Sequence, residues 1–251
     1  MRKILILFIL FPLTACAQFT IGKAHSPSIQ VSVSNLQNSA TNWTNCGTTL
    51  CAGGAGNSSA LSETPGIASP SLSGASMALT YTSPATGNNA LFIYKPVATC
   101  DTCKTAHTEI HVYLPSGVAN FEYDHSIVTT TLDGSFGHQC NRTTGFWQYS
   151  GQTSLWIDSA IPCTLTLGAW HTLVFDDYWN PEDTSCAGGF PVEHFGTLEI
   201  DGVVNSWGVT VCAETIPAGW THTLVSQVQM DSNSAATLTE YIDYMNISFG
   251  L

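Results

Sequence analysis

The pattern of apolar residues from Ile29 to the C-terminus constrains the fold most. No window keeps a 3.6-residue apolar period, whereas short segments rich in Thr, Val and aromatic residues alternate between apolar and polar positions. Such alternation is typical of strands with one buried face, and about a dozen of them joined by close turns indicate two packed antiparallel sheets. We therefore predict an all-β sandwich, and residues 29–251 have a length suited to one domain.

The predicted strands are bounded by turn-forming residues. They are Ile29–Ser34, Met77–Thr82, Ala90–Lys95, Thr108–Leu114, Ala119–Val128, Phe146–Tyr149, Ser154–Asp158, Trp170–Asp176, Gly196–Ile200, Val203–Trp207, Thr223–Met230 and Glu240–Phe249. The dipeptides Asp133-Gly134 and Asp201-Gly202 predict hairpin turns, because a type I′ turn needs positive φ at both central residues. Residues 52–76 are rich in Gly, Ser, Ala and Pro and predict a surface loop.

The N-terminus indicates export. A basic start, Arg2 and Lys3, precedes the apolar run Ile4–Leu13. This run has the length of a signal-peptide core and is too short to span a bilayer. We predict a signal peptide over residues 1–17, a tether over residues 18–28, and an extracellular or cell-envelope location.

Two processing routes are open for this signal. Leu13 to Cys16 has the form of a lipobox, which would leave Cys16 as a lipidated N-terminus. The alternative is cleavage before Gln18, after the small residues that precede it. A cysteine inside a signal peptide favours the lipoprotein, and contact with a membrane is expected only through that lipid.

Cysteine number and net charge restrict the function further. Eight of the nine cysteines follow Cys16, and an even number in an exported chain indicates disulfides. Proximity suggests the pairs Cys46–Cys51 and Cys100–Cys103. Cys140 and Cys163 bracket a predicted pair of strands, which leaves Cys186 with Cys212. A redox or zinc role for the Cys100–Cys103 pair would need a thioredoxin-like setting or a second matching pair. The net charge of −12 argues against a nucleic-acid partner.

Several segments resemble a group of exported acidobacterial proteins with the concanavalin A-like lectin/glucanase fold. The similar segments are, in order, Asn42–Cys46, Cys51–Gly54, Pro70–Gly74, Asn89–Tyr94, Asn120–Asp124, Phe136–Asn141, Cys163, Ala169–His171 and Tyr241–Asp243. The resemblance implies a jelly-roll sandwich and a glycan ligand. The group has no established activity, so the resemblance implies no reaction. The Cys100–Cys103 pair and the region of Cys186 depart from its pattern.

The strand Ala119–Val128 contains the main candidate site. Alternation places Glu122, Asp124 and Ser126 on one face of the strand. The two carboxylates resemble the start of the motif of laminarinase- and lichenase-type β-glucanases, in which a further Glu supplies the acid. Ser126 stands in that position, and a hydroxyl group is too weak an acid to protonate a glycosidic oxygen. We therefore expect binding without catalysis.

Aromatic residues near this strand extend the candidate site. Flat sugar faces stack on aromatic rings, so Trp147, Tyr149 and Trp156 are candidate glycan contacts. Arg142 is a further candidate because it could neutralise a substrate carboxylate. Together with His138 or Tyr149 as base, Arg142 would fit the alternative of a polysaccharide lyase.

An acidic segment from Asp176 to Asp183 predicts a loop with an exposed Trp179. Calcium takes six to eight oxygen ligands, so the segment is a candidate Ca²⁺ site, although its spacing matches no EF-hand. The candidate ligands are Asp176, Asp177, Asn180, Glu182 and Asp183.

We predict an exported, non-catalytic glycan-binding or cell-envelope protein. One alternative is a polysaccharide-degrading enzyme, either a lyase or β-glucanase-like. The other alternative is a structural envelope protein without a small ligand. A curved sheet face lined by Glu122, Asp124, Trp147 and Trp156 would favour a binder or an enzyme. A face filled by apolar side chains would favour the structural role.

Overall fold

The computed structural model describes residues 29–46, 50–51, 54–55, 59–83, 89–94, 99–129, 132–150, 156–213 and 223–251. The predicted signal peptide, tether and lipid site at Cys16 lie outside this part of the chain, as do the side chains of Cys46 and Cys51. Two short 3₁₀ turns, Leu36–Asn38 and Ala187–Gly189, are the helical elements of the described residues. None of the described helices is long and apolar enough to cross a membrane.

The described strands are numbered in chain order. They are β1 Ile29–Val33, β2 Trp43–Cys46, β3 Leu50–Cys51, β4 Gly54–Ala55, β5 Ser59–Ile67, β6 Ser76–Ser83, β7 Asn89–Tyr94, β8 Thr105–Tyr113, β9 Val118–Val128, β10 Asp133–Asn141, β11 Phe146–Ser150, β12 Trp156–Pro162, β13 Trp170–Asn180, β14 Val192–Ile200, β15 Val203–Cys212, β16 Thr223–Ser232 and β17 Ala236–Gly250.

These strands form two antiparallel sheets packed face to face. The eight-stranded sheet has the order β15-β14-β13-β8-β17-β6-β5, with β1 also paired to β17. The seven-stranded sheet has the order β12-β11-β10-β9-β16-β7-β2, and β3 pairs with β4 in a separate ribbon. The predicted all-β jelly-roll sandwich of two antiparallel sheets, braced by disulfides, is confirmed.

The core lies between the sheets and follows from the alternation of the strands. Each strand directs every second residue inward, as β8 does with Ala106, Ile110 and Val112. Rings from the two sheets meet there: Tyr123 of β9 stacks on Phe175 of β13, with their centroids 4.8 Å apart. Full burial of a large apolar side chain contributes about 1.5–3 kcal/mol, so this layer holds the two sheets together.

Three disulfides link described residues. Cys100 bonds Cys103, Cys140 bonds Cys163, and Cys186 bonds Cys212. The structure therefore contains three of the pairs expected from the sequence. The Cys140–Cys163 bond connects β10 to the segment after β12, and the Cys186–Cys212 bond ties the segment before β14 to the end of β15.

One predicted hairpin turn is confirmed and the other is wrong. Asp201 and Gly202 have φ values of 51° and 85° and connect β14 to β15, as a type I′ turn requires. By contrast, Asp133 already pairs with Val128 as the first residue of β10. The turn therefore lies before Asp133-Gly134. Gly134 lies in β10 for a packing reason, because a Cβ there would lie 2.9 Å from the ring of Trp179.

The predicted loop over residues 52–76 is partly wrong as well. Residues Ser59–Ile67 form β5, which pairs with β6 at the end of the eight-stranded sheet. Its register is irregular in two places. An edge strand tolerates a proline such as Pro65, because one side of it forms no ladder hydrogen bonds. The composition of the segment is typical of a loop, and for this reason the strand was not predicted.

Candidate functional site

Strand β9 divides its side chains as alternation predicts. Tyr123 and His125 point into the core, whereas Glu122 and Asp124 lie on the opposite side of the seven-stranded sheet. Neighbouring strands add amides to that side, since paired residues share a face. The polar face is defined here by Glu122, Asp124, Gln139, Gln227 and Gln229.

The amides of the polar face are bonded to its carboxyl groups. Gln139 Nε2 and Gln229 Nε2 donate to Glu122 Oε2 over 3.2 Å and 2.7 Å. Gln227 Nε2 donates to Asp124 Oδ2 over 2.6 Å. These side chains therefore fix one another, and the network is organised before any ligand arrives.

Burial and mutual repulsion change the acidity of the two carboxyl groups. Burial, and then the negative charge of Asp124, raise the pKa of Glu122 well above its usual range. Burial also raises the pKa of Asp124, to about 6. Two neighbouring carboxyl groups of this kind titrate as a pair, and the first proton is held by both. Near neutral pH the pair therefore carries less than two negative charges.

The position of the Asp124 side chain depends on Gly137, its partner on the neighbouring strand β10. A Cβ on Gly137 would lie 3.0 Å from Asp124 Oδ1 and 2.7 Å from Ser150 Oγ. Gly137 N also donates to Ser150 Oγ over 3.1 Å. The missing side chain thus provides the space in which Asp124 and Ser150 lie. The role of Gly137 is not visible in the sequence, because only the pairing of β9 with β10 reveals its neighbours.

Ser126 occupies the position where a glucanase of the resembling type has its acid. Its hydroxyl donates to Ser135 Oγ over 3.2 Å, and the residue is buried. A serine bonded to another serine offers no proton of suitable acidity. The position at which a glucanase of the resembling type has its acid therefore holds no acid in this strand.

The aromatic candidates are distributed over both sides of the sheet. Trp147 is fully buried in the core, so its predicted ligand contact is wrong. Tyr149 also points inward, with its ring centroid 5.6 Å from that of Phe195. Trp156 pairs with Ser150 and therefore lies on the side of the polar face, half-buried. Phe146, which was not among the predicted ligand contacts, lies on that side too and is exposed.

The residues of the lyase alternative do not converge. Arg142 Nη1 donates to the carbonyl oxygen of Leu165 over 2.8 Å. His138 is completely buried between the sheets, where its Nδ1 contacts the carbonyl oxygen of Tyr123 at 3.1 Å. An interior histidine cannot act as base on a polymer that approaches from outside, so this assignment of His138 is wrong.

The predicted calcium loop is also wrong. Strand β13 runs to Asn180, so Asp176 and Asp177 lie on opposite faces, and Trp179 is buried. Glu182 Oε1 forms an ion pair with Lys104 Nζ at 3.2 Å. Among the described residues, no group of three or more acidic, histidine or cysteine side chains is arranged to hold a metal ion. Alternation along a strand separates ligands that a loop would have gathered.

Asp177 belongs to a polar cluster in the core. Its Oδ2 lies 3.0 Å from His125 Nε2 and 3.1 Å from His138 Nε2, and Gly196 N donates to its Oδ1 over 3.0 Å. Burial alone would raise the pKa of Asp177, but the charge of His138 and the contacts with both imidazoles outweigh it and lower the pKa to about 2. The cluster joins β9 and β10 to β13 across the core.

Comparison with known proteins gives distant structural likenesses. No protein-family model and no curated protein sequence matches the chain. The lectin UEA-II complexed with galactose is 11% identical, with a TM-score of 0.48 over 89% of this chain and 100% of the lectin. Alginate lyase vAL-1 from Chlorella virus is 10% identical, with a TM-score of 0.44 over 83% of this chain and 93% of the lyase. The cellulose induced protein Cip1 is 13% identical, with a TM-score of 0.44 over 83% of this chain and 92% of Cip1.

Proposed function

We propose that the protein binds a glycan on the polar face and does not cleave it. One observation carries the proposal: a carboxyl–amide network spans three neighbouring strands on the outer side of the sheet, and its own hydrogen bonds hold the side chains in place. Such a preorganised set of polar groups binds sugar hydroxyls without the cost of ordering its own side chains. Trp156, on the same side of the sheet, could stack on a sugar ring.

The absence of turnover follows from Ser126. Hydrolysis of a glycosidic bond needs a positioned acid, and its loss removes about 10²–10⁴-fold in rate. The hydroxyl of Ser126 bonds to Ser135 and cannot supply that proton. Binding needs hydrogen bonds to sugar hydroxyls only, and the polar face has these groups.

One observation favours an enzyme as the second candidate. Burial and the neighbouring Asp124 raise the pKa of Glu122 well above its usual range, which favours the protonated form of this carboxyl group. Together with Asp124, whose pKa is about 6, it would provide an acid and a base on one strand. Release of reducing ends from laminarin or lichenan by the wild type, lost in Glu122→Gln, would establish this function instead.

We also propose that the protein acts outside the cytoplasm, in the cell envelope or secreted, with Cys16 lipidated. The basic start, the apolar run Ile4–Leu13 and the lipobox-like Leu13 to Cys16 support this location. Mass spectrometry of the mature protein from membrane fractions tests it. A lipid on an N-terminal Cys16 is the expected result, and an unmodified N-terminus at Gln18 would contradict it.

The binding test compares two aspartates on opposite sides of the molecule. The wild type is screened on a glycan array, and the best ligand is titrated by calorimetry. Asp124→Ala should weaken binding about tenfold or more, because it removes the acceptor at the centre of the polar face. Asp176→Ala is the matched control, because Asp176 is exposed on the eight-stranded sheet. Equal affinity in the two variants, with unchanged melting temperatures, would refute the assignment of the site.

A further inference from the structure

We infer that the polar face selects uncharged glycans, because it presents hydrogen-bond acceptors and recognises hydroxyl groups as donors. The inference rests on the proposed function and names the ligand class of the same site. It depends on which hydrogen-bonding groups are already used, and on which charges lie on this face.

The amides of the polar face each use an N–H donor within it. A carboxylate accepts hydrogen bonds, so an amide that contacts one must turn its NH₂ group toward it. Gln139 and Gln229 do so at Glu122, and Gln227 does so at Asp124. Each of the three NH₂ groups therefore already gives one N–H to a carboxyl group, and the carbonyl oxygens of the amides join the carboxyl groups as acceptors on this face.

A second group of the same kind lies along β9. Asn120 Nδ2 donates to Asp231 Oδ2 over 2.8 Å, which leaves Asn120 Oδ1 as the acceptor. Asn120 Oδ1 is buried and receives no hydrogen bond. Asn120 and Asp124 are both even-numbered residues of β9 and share its outer side. An amide oxygen without a donor, on the same side as the carboxyl group of Asp124, makes this side of the strand rich in acceptors.

Charge excludes the other large class of glycans. Within the described parts of β7, β9, β10, β11, β12 and β16, no Lys, Arg or His side chain lies on this side of the sheet. A uronate carboxylate placed there would meet Asp124 and Asp231, and the described strand residues of this face would offer it no cation. Its oxygens, which only accept hydrogen bonds, would also face the carboxyl and amide oxygens of the polar face, which accept them too. Both effects act locally, in addition to the repulsion from the net charge of −12.

The experiment uses matched polymers that differ only at C6. Laminarin, lichenan and mannan are each compared with their C6-carboxylated counterparts by affinity electrophoresis and calorimetry, at low and at high salt. We expect binding to at least one neutral polymer and about tenfold or weaker binding to its carboxylated form. The difference should persist at high salt, because salt screens the net charge of the protein but not contacts inside the site.

Two variants separate charge from hydrogen bonding. Gln227→Lys places a cation beside Asp124 and should reduce the preference for the neutral polymer several-fold. Gln227→Met has a similar size and no charge, so it should keep the preference even if it weakens binding. Thermal melting of both variants verifies that they fold.

The outcomes distinguish the two proposals. Equal or tighter binding of a carboxylated polymer, or a preference that disappears at high salt, would overturn the inference and leave glycan binding intact. Binding that Asp124→Ala does not change would overturn the site itself. Failure to bind any polymer of the set or any glycan of the array would overturn the proposed function, and the inference with it.

Discussion

At the residue scale, Trp147 shows how neighbouring aromatic side chains acquire opposite roles. Trp147 is fully buried beneath β11, whereas Phe146 is exposed on the other side of the same strand. Trp147→Ala should therefore lower the free energy of unfolding by about 3–5 kcal/mol, as deletion of a large core side chain does. Urea unfolding measures this change. The glycan affinity of the folded fraction should equal that of the wild type.

The control for this prediction is Phe146→Ala, which removes an exposed ring from the same strand. Its effect on the free energy of unfolding should be within about 0.5 kcal/mol. If Trp147→Ala weakened glycan binding without destabilising the protein, Trp147 would face the ligand and the side assignment of β11 would be incorrect.

The sequence predicts which residues share a side more reliably than which side is inward. For β9 both were predicted, because Glu122 and Asp124 alternate with aromatic residues. For β11 the inward side of Trp147 and Tyr149 was not predicted, since both were candidate glycan contacts. Gln148 marks the outer side of that strand, and it was the signal that could have placed Trp147 in the core.

At the element scale, Asp243 of β17 anchors the turn before β6. Its carboxylate accepts hydrogen bonds from Ser71 Oγ, Leu72 N and Ser73 N at 2.8–2.9 Å. Burial would raise the pKa of Asp243, but these hydrogen bonds outweigh it and lower the pKa. Asp243→Ala should reduce the free energy of unfolding by about 3 kcal/mol, because several charge-assisted hydrogen bonds are lost together.

Chemical denaturation and proteolysis test this anchor. Asp243→Ala should expose the segment around Ser71 to limited proteolysis, whereas the exposed Asp176→Ala should not. The wild-type cleavage pattern in Asp243→Ala, with an unchanged unfolding midpoint, would mean that the turn holds its conformation without the carboxylate.

A turn or strand was predicted correctly where its local composition indicates the same structure that it adopts in the folded protein. The turn at Asp201 and Gly202 is such a case, since two residues alone determine its geometry. The strands β5 and β10 were missed, because their glycines and proline indicate turns locally. In β10 the glycines instead serve neighbours from other strands, such as the Trp179 ring over Gly134 and the Asp124 side chain over Gly137. Sequence reasoning without strand pairing has no access to such contacts.

At the scale of the whole molecule, the two faces of the seven-stranded sheet share their strands. β9 directs Glu122 and Asp124 outward and His125 inward, where Asp177 of the other sheet meets it. The packing of the sheets thus fixes the strand that carries the polar face. A substitution in the core should therefore change the free energy of unfolding, and a substitution on the polar face should change the affinity for the glycan.

Acid unfolding tests the contact between the sheets. The pKa of Asp177 is lowered to about 2 from an ordinary value of 3.8, so its contribution to stability is present above 3.8 and lost as the pH falls through about 2. Burial lowers the pKa of His125, which also removes stability on acidification, from its ordinary value of 6.5 downward. Asp177→Asn should cost about 3–5 kcal/mol at neutral pH, because it leaves a buried cluster unpaired.

The distinctive result is the slope of stability against pH. Between about pH 4 and pH 2 the wild type should lose up to about 1.4 kcal/mol more per pH unit than Asp177→Asn, since one more proton binds on unfolding. Urea titrations of the wild type and of Asp177→Asn across this range measure the slope. If Asp177→Asn kept the full wild-type slope, Asp177 would not be ionised between the two histidines, and the contact between the sheets would be one of neutral groups.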